Sequence, residues 1–166
     1  MGGPSVFTPR SQAGSTMRLI VYGSLDKWPI IPEPTHTRRS AISARAALLP
    51  VLAEPDPNGL PPYQAHLAHA PDKLISGANR SMMSDGSRKI QWRSYDRPSF
   101  TVLANGNYRN KAWVAGNAYT LRAPQLAALQ SFPSTWRWPG KIELDKRLIG
   151  NAVPPMLAYA IGRSLS

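Results

Sequence analysis

The sequence lacks cysteine altogether and is poor in acidic residues and histidine. Its 166 residues include no cysteine, nine aspartates and glutamates together, and three histidines. The absence of cysteine excludes a disulfide, a thiolate metal site and a cysteine nucleophile supplied by these residues. His66 and His69 stand three apart with no third ligand beside them, which is too few ligands for a zinc site. We therefore predict no metal.

Long apolar runs are also missing. No stretch approaches the roughly 18 residues of a membrane span, and no charged-then-apolar leader opens the sequence. We expect a cytoplasmic protein, in a prokaryotic or phage setting, that does not contact membranes. The formal net charge of +11 and the pI near 10.6 favour a polyanionic partner, of which nucleic acid is the commonest. The alternative is a merely soluble basic protein.

Prolines and glycines restrict the regular elements to short segments. The run RLIVYG at residues 18–23 is typical of a buried strand that ends at a glycine. Residues 40–52 are predicted to form a short helix ended near Pro50, with an apolar stripe of Ile42, Ala46 and Leu49. Residues 99–103 (SFTVL) are predicted to form a strand.

The C-terminal third contains two further helical patterns. Residues 119–133 have apolar residues at helical spacing, with Pro124 near the first turn. Gly150 and Asn151 suggest a tight turn with a left-handed residue. A helix then follows, with Pro154 and Pro155 at its start and an apolar stripe that extends to Leu165.

Between residues 73 and 111, basic side chains recur with interleaved aromatics and few acids. Such composition suits a surface that grips phosphates and reads a DNA groove, whereas a solvated basic loop region is the alternative. The predicted DNA-contacting residues are Arg80, Arg88, Lys89, Gln91, Arg93, Arg97, Arg109 and Lys111.

Several motifs together resemble the C-terminal part of DNA cytosine-5 methyltransferases. The segments LQSFP (129–133), WP (138–139) and RLIGNAVPPML (147–157) resemble the last two motifs of that family in order and spacing. RLIVYG (18–23), EPTH (33–36) and RPSFTV (97–102) resemble its eighth motif, the connector after it and the strand that closes the target recognition region. The resemblance covers residues 14–166, strongly after residue 97 and thinly between 40 and 96.

The resemblance implies roles for individual positions. Family members flip a cytosine out of the duplex, attack it with a cysteine thiolate and methylate it from S-adenosylmethionine. Asn151, Ala152 and Val153 match the segment that lines the methyl-donor pocket. Arg18 matches the arginine that helps to hold the flipped cytosine. The basic region matches the target recognition domain, so double-stranded DNA is the expected substrate.

The resemblance also implies an α/β fold. It would be a partial Rossmann-like methyltransferase domain, contributing a C-terminal strand and helices, with a small, irregular and strand-rich target recognition lobe. Residues 1–52 would end the catalytic sheet and include the connector, residues 53–112 would form the recognition lobe, and residues 113–166 would return to the catalytic domain. An exposed apolar surface is expected around residues 19–21 and 156–165, and with it association with another subunit.

Departures from the family pattern leave three interpretations open. Gly14 and Thr16 stand where the eighth motif has a glutamine and a second arginine. Residues 122–125 read RAPQ where the ninth motif has a Thr-x-Arg-Glu helix start, so the threonine that would cap this helix is lost. The donor loop, the Pro-Cys nucleophile and the Glu-Asn-Val segment are absent. The chain is thus a subunit of a split enzyme that binds S-adenosylmethionine only with a complementary chain, a non-catalytic relative that binds DNA or a partner, or an unrelated basic nucleic-acid-binding module.

Overall fold

Four short antiparallel strands form the sheet of this computed structural model, which describes residues 31–37, 40–69, 71–76, 91–104 and 110–165. The strands are β1 (Lys73–Ile75), β2 (Trp92–Ser94), β3 (Lys111–Val114) and β4 (Asn117–Thr120), in the spatial order β2-β1-β3-β4. Ala115 and Gly116 join β3 to β4 with φ angles of 49° and 79°, as a two-residue hairpin turn requires. The predicted strand at residues 18–23 lies outside the described residues.

The two faces of the sheet pack against different parts of the chain. Cross-strand partners share a face, and Leu74, Ala112 and Tyr119 are successive partners whose side chains contribute to the hydrophobic core. Lys73 and Lys111 lie on the opposite face, where both ammonium groups bond to the segment formed by residues 53–69. That segment contains a 3₁₀ helix, Pro62–His69. The lysines therefore attach a covering segment to the sheet.

The first helix, α1 (Ala44–Leu48), is shorter than predicted and buries a different face. The Ser43 hydroxyl accepts the N–H of Ala46 at 3.2 Å and caps the helix, and a 3₁₀ turn at Leu49–Val51 ends it beside Pro50, as predicted. Ala44 and Leu48 are fully buried, whereas Ile42 and Leu49 are 45% and 64% exposed. The predicted stripe was wrong because the capped helix begins at Ala44, four residues later than predicted, so that Ile42 precedes it and its buried face contains Ala44 and Leu48.

The next helix, α2 (Ala123–Leu129), confirms the predicted helical pattern, with proline in its first turn. It is shorter than predicted because residues 119 and 120 belong to β4. Its start is capped after all, since the Gln125 carboxamide oxygen accepts the N–H of Arg122 at 3.0 Å. The same carboxamide donates to the carbonyl of Val51 at 2.6 Å and attaches α2 to the end of α1.

Residues 99–103 are extended but do not form a strand of the sheet, so that prediction was wrong. Ser99 makes a single bridge, and the four residues after it have no ladder. The Arg93 guanidinium donates hydrogen bonds to the carbonyls of Pro98 and Ser99, at 3.4 and 3.1 Å. Pro98 has no N–H to donate. The carbonyls of Pro98 and Ser99 are thus already bonded to Arg93 and Pro98 cannot donate, so these groups do not take part in a regular ladder.

Two helices complete the chain: α3 (Ile142–Asn151) and α4 (Pro155–Leu165). Pro154 accepts the first bonds of α4, from Leu157 and Ala158 at 3.0 Å each, which confirms the predicted proline-led start. The described residues thus form a mixed α/β structure around one antiparallel sheet.

Candidate functional site

The candidate site begins in the last turn of α3, where Gly150 and Asn151 continue the helix. The predicted left-handed turn was wrong, because the positive-φ residues of the described chain do not include either of them. Gly150 serves another purpose. A Cβ at this position would lie well inside 3.0 Å of backbone atoms of Leu103 and Ala104. The glycine therefore allows α3 to approach the 99–104 segment more closely than any other residue would permit.

The end of α2 fixes the other side of this turn. Ser131 adopts a left-handed conformation with φ of 63°. The N–H groups of Ser131 and Phe132 bond to the carbonyls of Ala128 and Ala127, at 3.0 Å each, which is the pattern of a Schellman helix end. This geometry directs the Ser131 hydroxyl at the N–H of Met156, 3.3 Å away at the start of α4.

A second contact from α2 holds α3. The buried carboxamide of Gln130 donates to the carbonyl of Ile149 at 3.1 Å, and the N–H of Ala152 bonds to the carbonyl of Leu148 at 3.0 Å. Sequence reasoning missed Gln130, Ser131 and the contact at Gly150. Helical periodicity marks Gln130 as part of α2, but it does not indicate which carbonyl its side chain reaches.

The backbone on both sides of the turn at residues 151–153 is therefore held by α2 and by the 99–104 segment. Asn151 is exposed and its carboxamide makes no hydrogen bond within the described part of the chain. Val153 is 49% exposed, and Ala152 is half-buried. An unpaired carboxamide offers two donors and an acceptor beside an apolar surface. These three residues suit one wall of a pocket for a polar heterocyclic ligand.

The two lysines of the sheet, Lys73 and Lys111, direct their ammonium groups to partners inside the protein. Lys111 was predicted to contact DNA, but its ammonium is buried in an ion pair with Asp56 and also donates to the Gly59 carbonyl at 3.0 Å. The Asp56 carboxylate also accepts the Thr120 hydroxyl at 2.6 Å. These hydrogen bonds, from Lys111 first and from Thr120 second, hold the pKa of Asp56 far below its usual range.

Lys73 is also buried, with 1% exposure, and donates to the Leu67 carbonyl at 2.8 Å. Desolvation lowers the pKa of its ammonium. Its ammonium also lies 5.4 Å from the centre of the Trp92 ring. A carboxylate partner for Lys73 does not occur among the residues that the structure describes.

The other predicted DNA-contacting residues fall into three groups. Gln91 and Arg97 are exposed at the two ends of the β2 region. Arg93 is half-buried, with its guanidinium on two carbonyls and 5.0 Å from the centre of the Phe100 ring. The remaining ones, Arg80, Arg88, Lys89 and Arg109, lie outside the described part of the chain. So does Arg18, which was predicted to hold the flipped cytosine.

Arg45 is a connecting residue that the sequence did not single out. From α1 its guanidinium forms ion pairs with Asp96 at 2.6 Å and with Asp72 at 3.0 Å, and it lies 5.0 Å from the centre of the Tyr95 ring. Its partners stand 51 and 27 residues away in the sequence. This separation explains why no local pattern could reveal the pairing.

The last two helices expose apolar side chains on the outside of the protein. Met156 and Tyr159 of α4 are 62% and 60% exposed, which confirms the expected apolar exposure for this segment, whereas Leu157 is buried. Leu144 and Leu148 are also exposed, one helical turn apart on α3. The other expected apolar segment, residues 19–21, lies outside the described residues. None of the described helices has the length and apolar character needed to cross a membrane.

Comparison with known proteins gives a consistent result. The family model for C-5 cytosine-specific DNA methylase matches residues 56–166. The chain is 31% identical over 162 residues to the type II methyltransferase M1.HphI of Haemophilus parahaemolyticus, covering 89% of this chain and 42% of that protein. It is 32% identical to the type II methyltransferase M.AgeI of Thalassovita gelatinovora, over 57% of this chain and 22% of that protein.

A shorter stretch of 41 residues is 54% identical to DNA (cytosine-5)-methyltransferase 1A of Oryza sativa subsp. japonica and covers 25% of this chain and 3% of that protein. No solved structure matches. The chain thus spans less than half the length of these curated relatives.

Proposed function

Because this chain belongs to the C-5 cytosine-specific DNA methylase family, we propose that it supplies DNA recognition and one wall of the methyl-donor pocket in a cytosine-5 methyltransferase. A second polypeptide would supply the nucleophile and most of the S-adenosylmethionine site, since these 166 residues contain no cysteine. In this proposal residues 53–112 form the recognition lobe. Residues 1–52 and 113–166 belong to a Rossmann-like catalytic domain, although the antiparallel sheet continues past residue 112 to Thr120.

The fixed turn at residues 151–153 is the observation that carries this proposal. It lies within the region that matches the family, it is held by Gln130, Ser131 and Gly150, and its carboxamide is exposed with no hydrogen-bond partner among the described residues. Asn151 would hydrogen-bond to S-adenosylmethionine, and Ala152 and Val153 would pack against it. The bound group supplies the methyl that is transferred.

Among the described residues, the proposed DNA-contacting ones are those whose side chains are not engaged within that part of the chain. Arg97 and Gln91 are exposed and suited to a phosphate and a base edge respectively, and Arg80, Arg88, Lys89 and Arg109 are proposed from the sequence alone. Arg18 is proposed to position the target cytosine. Arg93 and Lys111 are instead assigned to the framework that supports this surface, because their charged groups already have intramolecular partners.

The apolar surface of α3 and α4 supports a protein partner. Leu144, Leu148, Met156 and Tyr159 are each more than a third exposed, and apolar side chains grouped on neighbouring helices are typical of interaction surfaces. The partner would be the complementary methyltransferase subunit. Burial of these side chains would place the turn at residues 151–153 beside the remainder of the donor pocket.

Reconstitution tests the proposal. The chain is mixed with a polypeptide that carries the donor loop, the Pro-Cys segment and the Glu-Asn-Val segment of the family, and transfer of a labelled methyl group to duplex DNA is measured. We expect activity in the mixture and from neither chain alone. Asn151→Ala should raise the KM for S-adenosylmethionine, whereas Asn58→Ala, at another exposed asparagine, should not.

The alternative is a non-catalytic relative that binds DNA or a partner, which the changes at positions 14 and 16 favour. It predicts DNA binding that is independent of S-adenosylmethionine and no methyl transfer in the mixture. Absence of transfer by a stable, DNA-bound complex of the two chains would therefore reject the catalytic proposal in favour of this alternative.

A further inference from the structure

We propose that Trp92 is a base-stacking contact, which packs against a nucleobase that has left the stack of the DNA duplex. This inference rests on the proposed DNA-binding function and assigns a role to a residue that the charge pattern does not single out. Trp92 lies at the start of β2, an edge strand of the sheet, and pairs with Ile75 of β1. Its side chain is 53% exposed, while Ile75 is fully buried.

The ring is held in place from beneath. The Lys73 ammonium lies 5.4 Å from the ring centre, within the distance at which a cation is attracted to an aromatic face. Lys73 is itself fixed, with 1% exposure and a 2.8 Å bond to the Leu67 carbonyl. A buried ammonium without a carboxylate partner is costly to desolvate, so its contact with the ring favours one position of Trp92.

The surroundings of Trp92 favour nucleic acid over a protein partner. Gln91, the preceding residue, is exposed, and Arg97 is exposed just beyond the turn that follows β2. A segment that exposes an aromatic ring, a carboxamide and a guanidinium can combine stacking with polar contacts to base edges and phosphates. The exposed apolar side chains assigned to the protein partner belong to other elements, α3 and α4.

Stacking requires a base whose face is available. Bases of an intact duplex stack on one another, whereas an enzyme that flips a base leaves a gap and unstacked neighbours. Trp92 is therefore expected to contribute most at a site with an unpaired base. The contribution of a stacked aromatic does not depend on counterion release, so it should change little with salt.

The experiment measures binding of the 166-residue chain to two labelled duplexes by fluorescence anisotropy, at low and moderate salt. One duplex is fully paired and the other carries one unpaired base. We expect tighter binding to the second. Trp92→Ala should weaken that binding by about 5-fold to about 100-fold, the range for loss of one stacked base, by the same factor at both salt concentrations. Trp92→Phe, which keeps a ring, should retain most of the affinity.

Two controls separate this inference from the proposed function. Trp136→Ala removes another tryptophan of equal exposure, 53%, outside the recognition lobe, and should leave affinity unchanged. Arg97→Gln should weaken binding to both duplexes and lower the slope of log affinity against log salt by about one phosphate contact. Thermal melting identifies any variant that has unfolded, and Trp92→Leu, which keeps an apolar side chain without an aromatic ring, then replaces Trp92→Ala in the comparison.

If a folded variant without the ring, Trp92→Ala or Trp92→Leu, binds both duplexes as the unaltered chain does while Arg97→Gln lowers the salt slope, the stacking role is wrong and the DNA-binding function stands. An equal loss in Trp136→Ala would also overturn the specific role of Trp92. Failure of the unaltered chain to bind either duplex would overturn both proposals.

Discussion

Replacement of Gly150 by alanine would place a methyl group against the backbone of residues 103 and 104. The new Cβ would lie within 3.0 Å of backbone atoms of both residues, whereas carbon atoms in contact prefer about 3.5–4.0 Å. Neither neighbour is the end of a flexible side chain, so α3 or the 99–104 segment must shift. Overpacking of this kind costs about 1–3 kcal/mol, and sometimes more.

A matched control separates this clash from the intrinsic preference of alanine for helices. Gly162 lies within α4, and a methyl group added there would have no other atom within 4 Å. Gly162→Ala should therefore stabilise the protein by about 0.5–1 kcal/mol. The helical preference applies to both variants, so the difference between them isolates the clash. We expect Gly150→Ala to be less stable than Gly162→Ala by about 1–3 kcal/mol.

Thermal unfolding followed by circular dichroism measures this difference. In a chain of this size, each kcal/mol shifts Tm by about 2–4 °C, so the two variants should differ by at least a few degrees. The displaced helix also carries Asn151, and Gly150→Ala should lower methyl transfer in the reconstituted mixture. If Gly150→Ala proves as stable as Gly162→Ala, the close approach of α3 to residues 103 and 104 is refuted.

Three further predictions concern the contacts that support the sheet and the turn. Asp56→Asn should cost about 3–5 kcal/mol, because it leaves the buried Lys111 ammonium without its counter-charge. The folded pKa of Asp56 is depressed, so the stability that its carboxylate contributes is complete above about pH 5 and falls as the pH drops toward the folded pKa. Urea unfolding between pH 3 and 7 should therefore show a weaker loss of stability at acid pH in Asp56→Asn than in the unaltered chain. An unchanged pH dependence would contradict the ion pair. Gln125→Met should cost about 1–3 kcal/mol because it leaves the Val51 carbonyl unpaired, and equal denaturant midpoints would show that this bond is unimportant. Ser131→Gly should be more stable than Ser131→Ala by about 1 kcal/mol, since only glycine adopts the left-handed backbone conformation without strain. The reverse order in thermal melts would argue against that conformation.

The family and the proline-led starts of α2 and α4 could be predicted because their signals are local, whereas α3 was not predicted. Pro124, Pro154 and Pro155 act through their own backbone and their immediate neighbours. Predictions that depended on a residue's surroundings succeeded less often. Ile42 and Leu49 have the right spacing for a buried stripe, but the Ser43 cap set the helix so that Ala44 and Leu48 face the core instead.

By itself, the sequence determined the family, the excess of positive charge and the absence of a cysteine nucleophile from these residues. Only the tertiary structure decided which charges face outward. Lys111 and Arg97 are both basic residues of the same region of the sequence, yet the Lys111 ammonium pairs with Asp56, 55 residues away, whereas Arg97 is exposed. Likewise Gly150 has a local sequence typical of a turn, but its function depends on the backbone of residues 103 and 104, far earlier in the chain. The burial of a charge and the space for a methyl group depend on residues distant in sequence, so local patterns do not specify them.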